Sequence, residues 1–505
     1  MNPLRLIVIG VACTVFWGVV AGADPADSFP QERWMSVFLD GERAGYVYAR
    51  FRCEEERIHT HTLTRAEVRR GAVSVAMETE SETWETFDGR PLAFRYTLTM
   101  AGQPMVYTAT IGDGAVAGRS LQGGVEYAFS YPWTEGAVMV WGMERALRGL
   151  GTEPGAKAEL TVYSPELRLD RPVPARIVAE GEEVRDLGDG PEQLTRVRTS
   201  LRVGASSFET INWLDAAGEL RLSETDMGGM RVRLKAATQG EALAAYLPPE
   251  LFETRLLHLD GPISEGADSV DFRIRFRGAP PHDFDWPRTR VQRVLEGMDD
   301  GVRLRISRSR FPVASAHGVV DGAETDARYL ESNPYLNLDD PVLRVLAEEV
   351  FASDPPSDPF ERADGLRRFV SGHIAEPGLD VGFATASEVA RNPVGDCTEY
   401  AVLLAALGRL HGFPTRVAAG LVYLSEFGEH RDVMGYHMWT QFRIGEAWWD
   451  LDAALHESEP APTRIAFATA SLGEASMAEL NLSLLRLIGR VRVAVEAVAE
   501  GRQTF

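Results

Sequence analysis

The chain has 505 residues, 45% hydrophobic and 25% charged, which allows roughly three packed units at about 150 residues each and excludes disordered and collagen-like classes. Its 52 basic and 74 acidic side chains give a net charge of −22, a surface that repels phosphate backbones and excludes nucleic acid as an expected partner. Three cysteines and 10 histidines do not make a disulfide scaffold or a Cys-rich zinc fold, and no cofactor is expected.

Leu6 to Ala23 carries no charge, follows Arg5 and ends in Ala21-Gly22-Ala23 ahead of Asp24-Pro25. This is the pattern of a cleaved secretory signal peptide over 1–23. The alternative is an uncleaved signal anchor, because about 18 apolar residues just cross a bilayer. Either way the bulk of the chain is expected outside the cytoplasm, in the periplasm or beyond the cell. Cleavage leaves Cys53 and Cys397, and an oxidising compartment permits a disulfide between them that masks the second thiol.

From Trp34 to Tyr246 the apolar residues return with period two: Phe94, Tyr96, Leu98 and Met100 on one face, Arg95, Thr97 and Thr99 on the other. That alternation predicts half-buried antiparallel strands. Asp40-Gly41, Arg70-Gly71, Asp88-Gly89 and Asp113-Gly114 read as the hairpin turns between them. Residues 30–258 are therefore expected to form an antiparallel β domain, a meander or barrel-like sheet. Residues 259–335 keep strand character and read as a small β unit or linker. The pattern changes near Tyr335. Asp340-Pro341 and Asp358-Pro359 each open a helical spacing, with Asp as cap and Pro in the first turn. A third helix runs from Cys397 to about His411 and stops at Gly412. Strands return at Val417–Leu424, Tyr436–Ile444 and Trp448–Asp452, so 336–497 reads as an α+β domain.

The chemistry concentrates there. Cys397 follows Gly395-Asp396 and starts the third helix, where free N–H groups and the helix dipole stabilise a thiolate. Cysteine acyl transfer also needs an imidazole to pair with the thiolate and a third group to hold that ring. A hairpin with Gly445-Glu446 as its two-residue turn pairs Ile444 with Ala447 and makes His437 and Asp452 diagonal neighbours on one face. Asp450 shares that face one alternate position further away and competes for the role. His59 and His61 share a strand face without a third ligand nearby, so no metal site is expected. Trp84, Trp133, Trp213 and Trp448-Trp449 read as core or interface aromatics.

The stretches GDCTEYAVLLAALGRLHGFPTRVAAGLVY, GYHMWTQF and AWWDLDAAL resemble the exported bacterial members of the transglutaminase-like superfamily. The resemblance spans roughly Pro341 to Ala497. It implies a papain-like α+β core with the family's Cys-His-Asp triad on Cys397, His437 and Asp452. The sequence departs from the family pattern at Gln441, where a Glu is frequent, and at Ala453-Ala454, where Pro-Thr is usual.

These readings lead to an exported cysteine-dependent acyl-transfer enzyme acting on peptide or protein amides, by hydrolysis or transamidation. Candidate substrates are cell-envelope proteins and cell-wall peptides. The competing reading is a non-catalytic exported binding or assembly protein that recognises a partner through its β domain and uses the transglutaminase-like core as scaffold.

Overall fold

The computed structural model describes residue 29 and residues 31–500, except 71–72, 101–102, 204–205, 228, 252, 279–283, 313–326, 352–353, 375, 379–383, 486 and 488. The signal-peptide reading of 1–23 lies outside the described residues. Among the described residues no helix is long and apolar enough to cross a membrane. The chain divides into two units, residues 2–251 and 252–505. The first is an antiparallel β region and the second combines helices with strands.

The first unit is one sheet of fourteen strands, from β1 (Gln31–Leu39) to β14 (Met230–Ala237). The alternation read from sequence sets its two faces: Phe94, Tyr96, Leu98 and Met100 are buried, whereas Arg95 between them is exposed. Asp40 and Gly41 have φ of 49° and 96°, and Asp113 and Gly114 have 51° and 74°. Two successive positive φ values give the turn whose twist matches paired strands, which is why Asp-Gly stands there. Local turns do not account for the global order, however. The chain meanders outward from β1 to β8 (Val125–Pro132), passes through helix α1 (Val140–Arg148) and β9 (Lys157–Val162) at the other edge, then meanders back until β14 pairs with β1.

Helix α1 interrupts the strand pattern and was not read from the sequence. Its N-cap residue, Met139, supplies no side-chain bond. Glu85, wholly buried on β4 (Val73–Thr86), replaces the cap from a distant strand. Its Oε1 accepts the Trp141 N–H at 2.7 Å, and its Oε2 accepts that of Gly142 at 3.0 Å. Trp141 behind it is 2% exposed.

The second unit contains β15 (Leu257–His258), β16 (Ala267–Phe276), β17 (Gln292–Met298) and β18 (Gly301–Ser307), after the short helix α2 (Gln239–Leu243) of the first unit. Helices α3 (Pro341–Val350), α4 (Pro359–His373) and α5 (Ala386–Arg391) follow, with β19 (Glu376–Pro377) and β20 (Val394–Gly395) among them. Then come α6 (Cys397–Leu410), β21 (Thr415–Phe427), β22 (His430–Ile444), β23 (Ala447–Leu451), β24 (Arg464–Ala470), α7 (Glu474–Leu485) and β25 (Val491–Glu500). The capping signals act as read: Asp340 accepts the Val342 N–H at 3.0 Å and Asp358 that of Phe360 at 2.7 Å. Residues 259–335 do not stand apart. Their strands form a sheet ordered β17-β18-β16-β25, because the C-terminal strand pairs with β16. Without it β16 would present an edge of unpaired N–H and C=O groups, and a distant segment pairs that edge.

The second sheet, ordered β15-β22-β21-β24, positions the site. One edge of β22 pairs with β15 at Val433 and Met434, and with β23 from Thr440 to Ile444. His437 sits on the stretch between these two partners. Helix α6 packs on this sheet, with Leu403, Leu404 and Leu407 fully buried and the Thr440 hydroxyl donating to the Ala401 carbonyl at 3.0 Å.

Burial raises the Glu85 carboxyl to about 7, against the opposing pull of the Trp141 and Gly142 N–H groups. A carboxyl whose folded value lies above its unfolded value adds stability below about pH 4.5, and this is lost as pH rises through about 7. Glu85→Gln removes the titration. Its thermal midpoint should therefore fall less between pH 5 and pH 8 than that of the unmodified protein, as followed by calorimetry.

Candidate active site

The segment before α6 is built by local fit. Asp396 caps the helix by accepting the Thr398 N–H at 3.0 Å, while Glu399 Oε2 accepts the Asp396 N–H at 2.9 Å, a reciprocal capping box. Glu399 is fully buried, and its Oε1 accepts the Ala384 N–H at 3.0 Å. Burial, reinforced by the Asp396 charge, holds its carboxyl well above the usual range. Gly395 is required by the same packing, since a Cβ there lies 2.3 Å from Glu399 Cβ. Cys397 is the first residue of the helix.

His437 is 6% exposed. Its Nε2 lies 2.6 Å from Asp452 Oδ2, and the ring also hydrogen-bonds the Cys397 sulfur. Burial disfavours the imidazolium, but the Asp452 charge and hydrogen bond outweigh it and raise His437 to about 9. At Cys397, burial and the Asp396 carboxylate push the thiol up, whereas the His437 hydrogen bond and charge pull it down. The helix N-terminus acts in the same direction as His437.

Asp452 lies one residue past β23. The pairing runs from Ile444 with Ala447 to Thr440 with Leu451, the register of a two-residue turn. There the ladder ends, because Asp452 instead exchanges backbone hydrogen bonds with Glu457, at 2.7 and 2.8 Å. Its Oδ1 accepts the Leu455 N–H at 3.0 Å. Asp450 is on the same face but is engaged by other partners: its Oδ1 accepts from Trp439 Nε1 and Gln441 Nε2, both at 2.7 Å. Gln441 in turn accepts from Arg416 Nε at 2.7 Å. A Glu in its place would set a second carboxylate against buried Asp450, so the departure from the family pattern has a local reason.

Sequence reasoning missed one residue of this site. Arg464 opens β24 and is 4% exposed; its Nη2 donates to Asp452 Oδ2 at 2.8 Å and forms an ion pair with Glu457, 2.6 Å from Oε2. Burial raises the Asp452 carboxyl, but the His437 and Arg464 charges prevail and hold it far below the usual range. Its signal in the sequence is its place at the head of the apolar run Ile465–Ala470, inside the stretch that carries the resemblance, with nothing to say which acid it meets. Gln292, also unforeseen, fixes the strand behind Arg464. Its amide donates to the Ala466 carbonyl at 2.9 Å, and its Oε1 accepts the Ala466 N–H at 2.8 Å.

The histidine candidates His59 and His61 belong to the first unit. His61 Nε2 lies 2.8 Å from Glu80, and His59 stacks on Trp84 with ring centroids 4.8 Å apart. Among the described residues no group of three or more His, Cys, Asp or Glu is arranged to hold a metal ion. Cys53 and Cys397 are not joined in a disulfide.

Residues 346–453 match the transglutaminase-like superfamily. The second unit therefore carries a transglutaminase-like domain, and the match is shorter than the 341–497 span of the sequence resemblance. It includes Cys397, His437 and Asp452 and stops before Arg464. No curated protein matches the chain. Among solved structures, a β-barrel-like protein of unknown function from Brucella abortus is similar at 16% identity and a TM-score of 0.33, covering 41% of this chain and 96% of that one. A candidate cysteine protease from Cytophaga hutchinsonii is similar at 15% identity and a TM-score of 0.31, covering 47% and 90%. Likeness this distant carries no argument about activity.

The Gly395–Glu399 contact is testable. Gly395→Ala forces the added methyl against a buried side chain, an overpacking cost of about 1–3 kcal/mol. It should lower the denaturant midpoint and slow Cys397 alkylation, whereas Gly445→Ala in the exposed hairpin turn should leave alkylation unchanged.

Proposed function

We propose that the protein is an exported cysteine-dependent acyl-transfer enzyme acting on peptide or protein amides. The observation that carries this reading is the His437 ring, hydrogen-bonded to the Cys397 sulfur on one side and to Asp452 Oδ2 at 2.6 Å on the other. The superfamily match over 346–453 supports a transglutaminase-like scaffold for it. The charge-free stretch Leu6–Ala23 supports export.

In this reading the Cys397 thiolate attacks the amide carbon and a C–S bond forms. The Cys397 N–H, at the first position of the helix, donates to the oxyanion. The His437 imidazolium then gives its proton to the departing nitrogen, the C–N bond breaks, and ammonia or an amine leaves. Water or a second amine attacks the thioester, returns its proton to the imidazole and releases the thiolate. Asp452 keeps the ring oriented and stabilises its charged form.

Incubation with glutamine-containing and cell-wall peptides, followed by mass analysis, tests the proposal: an acyl adduct is expected on Cys397 and none on Cys397→Ala. A Cys397 thiol that resists alkylation at pH 6, where an ordinary thiol near 8.5 is almost wholly protonated, would favour the non-catalytic scaffold instead.

Two further outcomes follow from the geometry. Asp452→Asn should slow acylation by about two orders of magnitude or more. Asp450→Asn, whose side chain still accepts from Trp439, should do much less. The imidazolium is the proton donor, so acylation should fall as pH rises through about 9, the value to which Asp452 raises His437. A pH–rate profile on one amide substrate reads both.

A further inference from the structure

We propose that Arg464 is a positioning residue: by sharing Asp452 Oδ2 with His437, it limits how firmly Asp452 holds the imidazolium and so keeps that imidazolium a usable acid. The inference rests on the acyl-transfer reading above and adds a residue that lies beyond the superfamily match.

The geometry is that of a charge chain. Cys397 meets His437, and His437 Nε2 meets Asp452 Oδ2 at 2.6 Å. The same oxygen meets Arg464 Nη2 at 2.8 Å, and that nitrogen meets Glu457 Oε2 at 2.6 Å. The side chains of Asp452 and Arg464 are 1% and 4% exposed, while that of Glu457 is 37% exposed, so the chain runs from the buried site to solvent.

Arg464 is poorly explained as a structural anchor. Both of its acidic contacts use Nη2, and its buried Nε and Nη1 have no hydrogen-bond partner among the described residues. A buried cation with one nitrogen engaged adds little to stability, since desolvation opposes the pairing. Its effect falls on Asp452. Two donors on one carboxylate oxygen divide its negative charge, so each is held less strongly than it would be alone. Proton donation to the leaving nitrogen favours an imidazolium that is not too tightly bound.

Among the described residues, the charged groups around this set of contacts are as follows. His437 faces Cys397 from α6 and Asp452 from the loop after β23. Asp452 faces His437 and Arg464. Arg464 faces Asp452 and Glu457, and Asp450 feels both Arg464 and Arg416.

Two substitutions displace the balance in opposite directions. Arg464→Met removes the competitor and leaves two carboxylates near the imidazolium, so His437 should hold its proton to higher pH. Glu457→Gln removes the counter-charge on Arg464, strengthens the Arg464 hold on Asp452 and should release the His437 proton at lower pH. Arg464→Lys keeps a charge and should stay near the unmodified protein.

The readout is the pH dependence of Cys397 alkylation by iodoacetate, followed by mass spectrometry on the full chain. This anionic reagent is drawn to the imidazolium, so the alkaline limb of its profile reports loss of that proton. Arg464→Met is expected to shift the limb up by about one pH unit and Glu457→Gln to shift it down. A purely structural role predicts the opposite for Arg464→Met: a loosened Asp452 lets the limb fall toward the ordinary histidine range near 6.5. That fall, or an unmoved limb in both variants, overturns the inference while leaving the acyl-transfer reading intact. An unmodified thiol that does not react at pH 6 overturns both.

Discussion

One carboxylate oxygen organises the second unit's chemistry. Asp452 Oδ2 accepts from His437 at 2.6 Å and from Arg464 at 2.8 Å, in surroundings where Asp452 is 1% exposed. A bare carboxylate in that position would be protonated or expelled, so two cationic donors are what allow it to remain charged. Its charge in turn permits His437 to stay protonated at a buried site beside a thiol. Each charged group in the chain is stable there because its neighbours are present.

Three kinds of backbone geometry hold this arrangement. The capping box of Asp396 and Glu399 fixes the start of α6 and thus the Cys397 backbone. The two-residue turn at Gly445-Glu446 fixes the β22–β23 register, and a shift by one residue would send His437 and Asp452 to opposite faces. The exchange of backbone hydrogen bonds between Asp452 and Glu457 ends the ladder and turns the aspartate side chain toward the histidine. Gln292, on a strand from the segment before the helices, braces Ala466 and with it the strand that begins at Arg464. The segment between residues 259 and 335 thus supports the site through Gln292.

The first unit handles a buried acid by a related device. Glu85 is fully buried, yet its oxygens accept two N–H groups at the start of α1, a helix whose own N-cap residue offers no side-chain acceptor. In Glu85 and Glu399 alike, a carboxyl is buried where main-chain donors would otherwise lack partners.

Much of the local structure was determined by the sequence alone. The strand period, the Asp-Gly turns, the Asp-Pro helix starts, the Gly395-Asp396-Cys397 approach to α6 and the hairpin register each depend on residues a few positions apart, where steric limits and capping chemistry leave few alternatives. Tertiary structure decided what those elements meet. The pairing of β1 with β14, the addition of β25 to β16, the capping of α1 by Glu85 and the arrival of Arg464 at Asp452 join segments with no shared local pattern. An isolated arginine or glutamate in a sequence has the same local propensities whether it faces solvent or a buried partner. Only the path of the chain through space brings opposite charges into one dry site, where their attraction becomes strong enough to set the protonation of a histidine.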